Sequence, residues 1–277
     1  MRAVEGEIPA SAQSGLKDSW KAQGYFLPCV CKPEADITAC EVGSDARVPA
    51  HITGLDYLSA DVLRVRLQCE APFEFQAGQY LTLIRDSELA RSYSIASLPG
   101  AGEIELHVRL LTQGRMSGWL REGSPVAAPV QLQGPSGECF YVAGRPEQSM
   151  LLVGTGTGLA PLYGIVRDAL QQGHTGEIHL LHGALRPAGL YLREELTALA
   201  AAHPNLTYVP VVLEAEGDSG VTTGAIDAVV AQRFPSLAGW RGFVCGDPGI
   251  VRSLKRKLFI AGMAMRDIYS DAFLPSA

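Results

Sequence analysis

Hydrophobic and polar residues alternate with two different rhythms along this chain. Between residues 46 and 143 the rhythm is short. VLRVRLQ and EIELHVRL place apolar side chains at every second position, the mark of a half-buried strand. HITGLDY, YLTLI, SYSIA and a run near PVAAPVQL extend the series, with glycine and proline between them and almost no helical stretch. Such a succession predicts a small antiparallel barrel. After Pro146 the rhythm lengthens. SMLLVG, EIHLLHGA, LTYVPVVLE and RGFVCG are compact apolar runs. They alternate with PLYGIVRDALQQG, LYLREELTALAAA and VRSLKRKLFIAG, whose apolar residues recur at helical spacing. Strands alternating with helices predict a doubly wound parallel sheet. Residues 1–45 follow neither rhythm and run into the acidic, glycine-containing EVGSDAR. The expected organisation is therefore a front segment with linker over 1–45, a barrel over 46–145 and an α/β domain over 146–277.

Composition narrows the function classes. With 47% hydrophobic and 19% charged residues the chain is a globular protein, not a disordered one. A formal charge of −6 gives no general attraction for nucleic acid or an anionic membrane. No apolar run reaches the roughly 18 residues that cross a bilayer. MRAVEGEIPA lacks a basic-then-apolar signal pattern, so the expected location is cytoplasmic. The six cysteines form no C-x-x-C pair, and reduced, packed thiols are expected of them.

Two short stretches carry chemistry. In LLVGTGTGLAP (151–161) an apolar strand feeds Gly154, Gly156 and Gly158, and a helix begins around Pro161. Glycines let the backbone approach a pyrophosphate, and the first helical N–H groups favour its charge. Pro161 suits a first helical turn. Leu159 stands where a G-x-G-x-x-G pattern has its third glycine, so the usual dinucleotide fingerprint is not matched. The second stretch, RSYSIASLPG (91–100), sets a cation, a flat aromatic and hydroxyls on one short strand. Residues 91 and 93 point one way and 92 and 94 the other, so a ligand met by all four requires a twisted or terminal strand.

R-x-Y-S at 91–94, G-T-G-T-G-L-A-P at 154–161 and C-G-D-P at 245–248, in that order, resemble the ferredoxin–NADP reductase-like flavoproteins over about residues 46–273. The resemblance implies an FAD-binding barrel followed by an NAD(P)-binding domain. It implies that Arg91 pairs with the flavin diphosphate, Ser92 and Tyr93 line the cofactor with Tyr93 against the isoalloxazine, and Ser94 hydrogen-bonds near flavin N5. FEFQAGQYLTL (73–83) resembles the lead-in to that strand. Gly114, Met116 and Ser117 in GRMSGWL resemble a second diphosphate contact at a short helix, where Ser117 could equally be a plain N-cap. His107, Val108 and Arg109 match positions that line FAD in relatives. Thr155 belongs to the glycine turn, and the resemblance puts Thr157 by the hydride path. Cys245 is placed near the nicotinamide, with Gly246, Asp247 and Pro248 at the carboxyl edge of the sheet. Ser94, Cys245 and Thr157 are the expected catalytic group. Phe273, in IYSDAFLPSA, matches a terminal aromatic that approaches the flavin.

GYFLPCVCKPEADI (24–37) resembles the closing part of a plant-type [2Fe–2S] ferredoxin, with Cys29 as its last ligand. A cluster takes four thiolates. Cys31 and Cys40 do not restore the spacing, so a cluster is not expected in the chain as given. Either a native start lies upstream and supplies the other ligands, which is the preferred reading, or residues 1–45 are a remnant. Together these features imply an oxidoreductase passing hydride from NAD(P)H to FAD, then single electrons to a separate ferredoxin or oxygenase component. The rival is a non-catalytic subunit that binds FAD or NAD to sense redox state or to scaffold a complex. Arg186, in HGALRPAGLYLREEL, could pair with a 2′-phosphate, and no acidic residue stands at the preceding strand end. Relatives using NAD carry a similar arginine, and the balance tilts to NADH.

Overall fold

The computed structural model describes residues 1–40, 47–122, 126–215, 217 and 220–274. The chain divides into two compact units, Met1–Ala46 and Arg47–Ala277. In the first, β1 (Arg2–Glu5) and β2 (Thr38–Cys40) pair antiparallel, with Arg2 opposite Cys40, and α1 (Asp18–Ala22) lies between them in sequence. Ala12, Ser19 and Phe26 are its buried residues. Cys29 and Cys40 are exposed and Cys31 is half-buried. Among the described residues no three His, Cys, Asp or Glu side chains gather as a metal would need. The weak periodicity of this segment reflects its small core.

The second unit holds both larger layers. Its antiparallel sheet contains β3 (Arg47–Tyr57), β4 (Val62–Cys69), β5 (Tyr80–Asp86), β6 (Leu89–Ser94), β7 (Ile104–Arg109) and, after α2 (Arg115–Glu122), β8 (Pro129–Ser136). The order is β6-β5-β8-β3-β4-β7. Just past β6, Ile95 bridges to Leu106 on the opposite edge strand, so the sheet curls back on itself. Ile52, Val65, Leu67, Leu81, Leu106 and Leu132 fill the interior of the curl without solvent exposure. Period-2 alternation in VLRVRLQ and EIELHVRL thus reports a real inner face. Two expected strands shift. SYSIA ends as a strand at Ser94, and the PVAAPVQL run becomes a regular strand at Pro129, after Ala127 at φ 68° and Ala128 have bonded to Ile52 of β3.

The parallel sheet follows with β9 (Met150–Thr155), α3 (Leu159–Gln171), β10 (Ile178–Ala184), α4 (Arg193–Ala202), β11 (Leu206–Val212), β12 (Thr222–Thr223), α5 (Ile226–Arg233), β13 (Arg241–Gly246), α6 (Pro248–Ile260) and β14 (Ile268–Ala272). Its order is β12-β11-β10-β9-β13-β14. Alternate residues of β9 serve opposite faces. Met150 and Leu152 pack with Leu162, Ile165 and Leu180, while Leu151 and Val153 pack with Val244, Leu254 and Leu258. Burial on both faces explains why these strands read as unbroken apolar runs. The chain leaves β9 toward β10 on one side and returns to β13 on the other, which opens a crevice at the carboxyl ends. None of the helices in the described residues is long and apolar enough to cross a membrane.

The seam between the two layers is close-packed. Val62, Cys139 and Tyr141, from the antiparallel portion, belong to the same core cluster as Leu159, Ile165 and Phe243. A Cβ on Gly78 would stand 2.7 Å from Ile165 of α3, and one on Gly164 would stand 3.1 Å from the Ala96 carbonyl.

Candidate functional site

A cavity of about 1510 Å³ lies at that crevice, inside the second unit. It exceeds the usual few hundred to about 1,000 Å³ of a small-ligand site. One wall comes from β6, β7 and the start of α2, the other from the carboxyl ends of β9, β10, β13 and β14.

Arg91, Ser92, Tyr93 and Ser94 all line it. Because β6 is an edge strand, its two faces are both accessible to one ligand, which resolves the alternation problem posed by the sequence. Arg91 Nη1 donates to the Ala90 carbonyl at 2.8 Å, which orients the guanidinium. Ser92 Oγ lies 3.1 Å from Thr82 Oγ1 on β5. Burial pushes the Tyr93 hydroxyl well up, with the nearby Arg91 charge opposing, so the ring presents a neutral flat surface. Ser94 Oγ donates to Asp271 Oδ2 at 3.4 Å, joining the barrel strand to β14. Burial raises the Asp271 carboxyl, only partly offset by that hydrogen bond.

Gly114, Met116 and Ser117 also line the cavity. The Gly118 N–H donates to the Gly114 carbonyl at 2.7 Å, so the α2 N–H groups of Arg115, Met116 and Ser117 fall in the first turn, which has no intrahelical acceptor for them. Ser117 lies within the helix and is not its N-cap. Its Oγ accepts from the Leu111 N–H at 3.1 Å and braces the preceding turn. The Met116 side chain is buried in the barrel core.

His107 lines the cavity with a fully buried ring. Its Nε2 is 2.8 Å from Glu105 Oε1 and its Nδ1 is 3.2 Å from the Tyr191 hydroxyl. A carboxylate only accepts, so Nε2 donates and Nδ1 accepts from Tyr191. Burial lowers the His107 pKa despite Glu105, which keeps the ring neutral. It is a clamp between β7 and the parallel-sheet side. Arg109 lines the cavity and its Nη1 comes 3.8 Å from where a Gly156 Cβ would stand. Val108 differs from its neighbours. It is wholly buried in the barrel core and does not line the cavity, as the two-residue alternation of β7 demands.

On the other wall, Thr155, Gly156 and Thr157 line the cavity, and Gly156 adopts φ 53°. Gly154, Gly158 and Pro161 stand behind them. A Cβ on Gly154 would sit 2.8 Å from Leu162, one on Gly158 would collide with the Cys245 carbonyl, and Pro161 is buried in the first turn of α3. These three shape the turn and do not form its surface. Gly246, Asp247 and Pro248 line the cavity. Asp247 Oδ1 accepts from the Gly249 and Ile250 N–H groups at 2.8 and 3.0 Å, capping α6, and its own N–H donates to Thr155 Oγ1 at 3.3 Å. Cys245 is buried behind the lining, its Sγ 3.6 Å from Cys139 Sγ. Burial and the neighbouring thiol push its pKa well up, so it stays a neutral thiol. Phe273 lines the cavity and its N–H donates to the Gly246 carbonyl at 2.8 Å.

Three contributors escaped the sequence reading. Asp271 sits two residues before Phe273, yet only the pairing of β14 with β13 brings it to Ser94. Tyr191 reaches His107 because Leu192 turns the chain at φ 56° ahead of α4. Glu214 meets Arg186 across two strand ends. None of these has a local signal.

The cavity offers what a dinucleotide flavin requires: a cation and a helix head for a diphosphate, a flat aromatic and a buried hydroxyl for a ring. The glycine turn supplies a second anion cradle. Residues 49–141 match an oxidoreductase FAD-binding domain family and residues 152–256 an oxidoreductase NAD-binding domain family. The ferredoxin–NAD(P)+ reductase component of the naphthalene 1,2-dioxygenase/salicylate 5-hydroxylase systems of a Ralstonia species is 37% identical, over 91% of this chain and 79% of its own length. The reductase component of the Pseudomonas putida naphthalene 1,2-dioxygenase system is 35% identical over 99% of this chain and 85% of its own. The solved Amycolatopsis cytochrome P450 reductase superposes with a TM-score of 0.77 at 31% identity, covering 99% of this chain and 86% of that one. These relatives agree with the enzymatic reading and not with a non-catalytic subunit. The chain is an FAD- and NAD(P)-binding oxidoreductase of the ferredoxin–NADP reductase-like flavoprotein family.

Proposed function

We propose that this protein is the reductase component of an oxygenase-type electron-transfer system, oxidising NADH and delivering single electrons to a separate ferredoxin or oxygenase component. The observation that carries the reading is the single cavity lined by both Arg91–Ser94 and Thr155–Thr157. One ligand on each wall meets the other there, as hydride transfer requires. When bound, FAD supplies the change from a two-electron donor to one-electron acceptors.

The residues divide the remaining work. Arg91 and the head of α2 hold the flavin diphosphate, charge against charge-assisted donors. Tyr93 covers one ring face and excludes water. Ser94, held by Asp271, would hydrogen-bond the ring nitrogen that receives the hydride. Thr155, Gly156 and Thr157 cradle the diphosphate of the nicotinamide nucleotide. Phe273 occupies the place beside the flavin where the nicotinamide stacks and yields to it. Cys245 backs that place as a neutral, closely packed thiol.

Absorbance spectra of the purified protein before and after anaerobic addition of NADH test this function. A yellow protein whose flavin band bleaches within the mixing time is expected, with colour returning when a ferredoxin is added as acceptor. Protein that binds no FAD, or whose bound flavin is not reduced by NADH or NADPH, overturns the proposal.

A further inference from the structure

At the β10 and β11 end of the cavity, away from the barrel, Arg186 and Leu213 stand on the lining. Arg186 follows β10 and Glu214 follows β11, and the two strands pair in parallel register to Ala184 opposite Val212. Beyond the register the backbones stay joined, the Leu213 N–H donating to the Ala184 carbonyl at 3.3 Å and the Glu214 N–H to the Leu185 carbonyl at 3.0 Å. These bonds fix the two side chains opposite each other. Arg186 Nε donates to Glu214 Oε2 at 2.7 Å.

We infer that Glu214, by engaging Arg186, makes this site select NADH over NADPH. The inference rests on the function proposed above and names its substrate. In a doubly wound sheet the ribose distal to the nicotinamide lies at the end of the second strand, where a carboxylate receives a 2′-hydroxyl and an arginine receives a 2′-phosphate. The sequence has the arginine and lacks an acidic residue at the end of β10, which taken alone points to NADPH. The fold supplies the missing carboxylate from the next strand. Arg186 is the cation among the described lining residues at this end, and its Nε is bonded to the Glu214 carboxylate. A phosphate there carries about −1.5 to −2 charge. It would have to displace the carboxylate and then lie beside it. A ribose hydroxyl instead donates to Glu214 without disturbing the pair.

Both Arg186 and Glu214 are about half exposed, so Glu214→Ala removes the carboxylate without opening a core. Calorimetric titration of the FAD-loaded protein with 5′-AMP and with 2′,5′-ADP reads the selectivity directly, and stopped-flow reduction with NADH and NADPH reads it in turnover. The native protein is expected to bind 5′-AMP more tightly than 2′,5′-ADP. Glu214→Ala shifts the ratio at least tenfold toward 2′,5′-ADP, with the NADH-to-NADPH ratio of kcat/KM falling in parallel. Adding Arg186→Ala cancels that shift. Tighter binding of 2′,5′-ADP by the native protein, or an unchanged ratio in Glu214→Ala, overturns the inference while flavin bleaching by a nicotinamide nucleotide leaves the proposed function standing. Failure of both nucleotides to reduce the flavin removes both.

Discussion

His182 shows what a single buried group costs. Its Nδ1 lies 3.3 Å from the Tyr208 hydroxyl, its Nε2 has no partner, and the residue has no solvent exposure. Burial alone lowers its pKa to about 3. In the unfolded chain the same side chain titrates near 6.5. Below that pH the unfolded state takes up a proton that the native state refuses, so stability is full above about pH 6.5 and is lost as pH falls toward 3. The expected slope from this group is about 1.4 kcal/mol per pH unit. His182→Asn, which keeps a polar group near the Tyr208 hydroxyl, flattens the dependence of the urea midpoint on pH between 6 and 4 by nearly one proton. An undiminished slope in that variant would show that His182 is protonated in the folded protein.

Elements are held by glycines as much as by apolar residues, and their effects have opposite signs. At Gly158 a Cβ meets the rigid Cys245 carbonyl, and Gly158→Ala is expected to cost about 3 kcal/mol. Gly118, inside α2, has nothing within 4 Å of a Cβ, and Gly118→Ala is expected to stabilise by about 1 kcal/mol through helix propensity. Denaturant midpoints of the FAD-saturated variants check both. The same contrast marks how far the sequence could be read. VLRVRLQ, EIELHVRL and GTGTG declare themselves, because a strand's inner face and a phosphate-cradling turn leave local patterns. The R-x-Y-S stretch is legible as chemistry, and its four residues reach the cavity. IYSDA carries no clear alternation, and it becomes β14 only because β13 offers it a partner. Asp271, Tyr191 and Glu214 were hidden for the same reason: each matters through a residue far away in the chain. Val108, Gly154, Gly158, Pro161 and Cys245 sit in motifs that form the cavity, yet they lie one layer behind its surface. A motif names a neighbourhood, and the pleat and the packing decide which members face the ligand.

At the scale of the molecule, the antiparallel and parallel layers of the second unit share hydrophobic core across their seam. Side-chain bonds cross it as well, among them His107 to Tyr191, Ser94 to Asp271, Tyr141 to His174 and the thiol pair Cys139–Cys245. Residues buried by both layers lose their shelter if either melts. Hydrogen exchange is therefore expected to give the slowest amides of β4 and β10 one common opening free energy. Markedly different values for the two strands would show that the layers unfold separately.

That shared interior also limits how this enzyme can be recombined with its kin. A crossover placed at residue 146, where the sequence changes rhythm, would transplant Val62, Cys139 and Tyr141 onto a foreign α3 that never coevolved with them. Viable chimaeras inherit their seam whole. On the role proposed for Glu214, changing the nucleotide this scaffold accepts is a matter of trading the strand-end loops that bear Arg186 and Glu214, with the interior left from one parent.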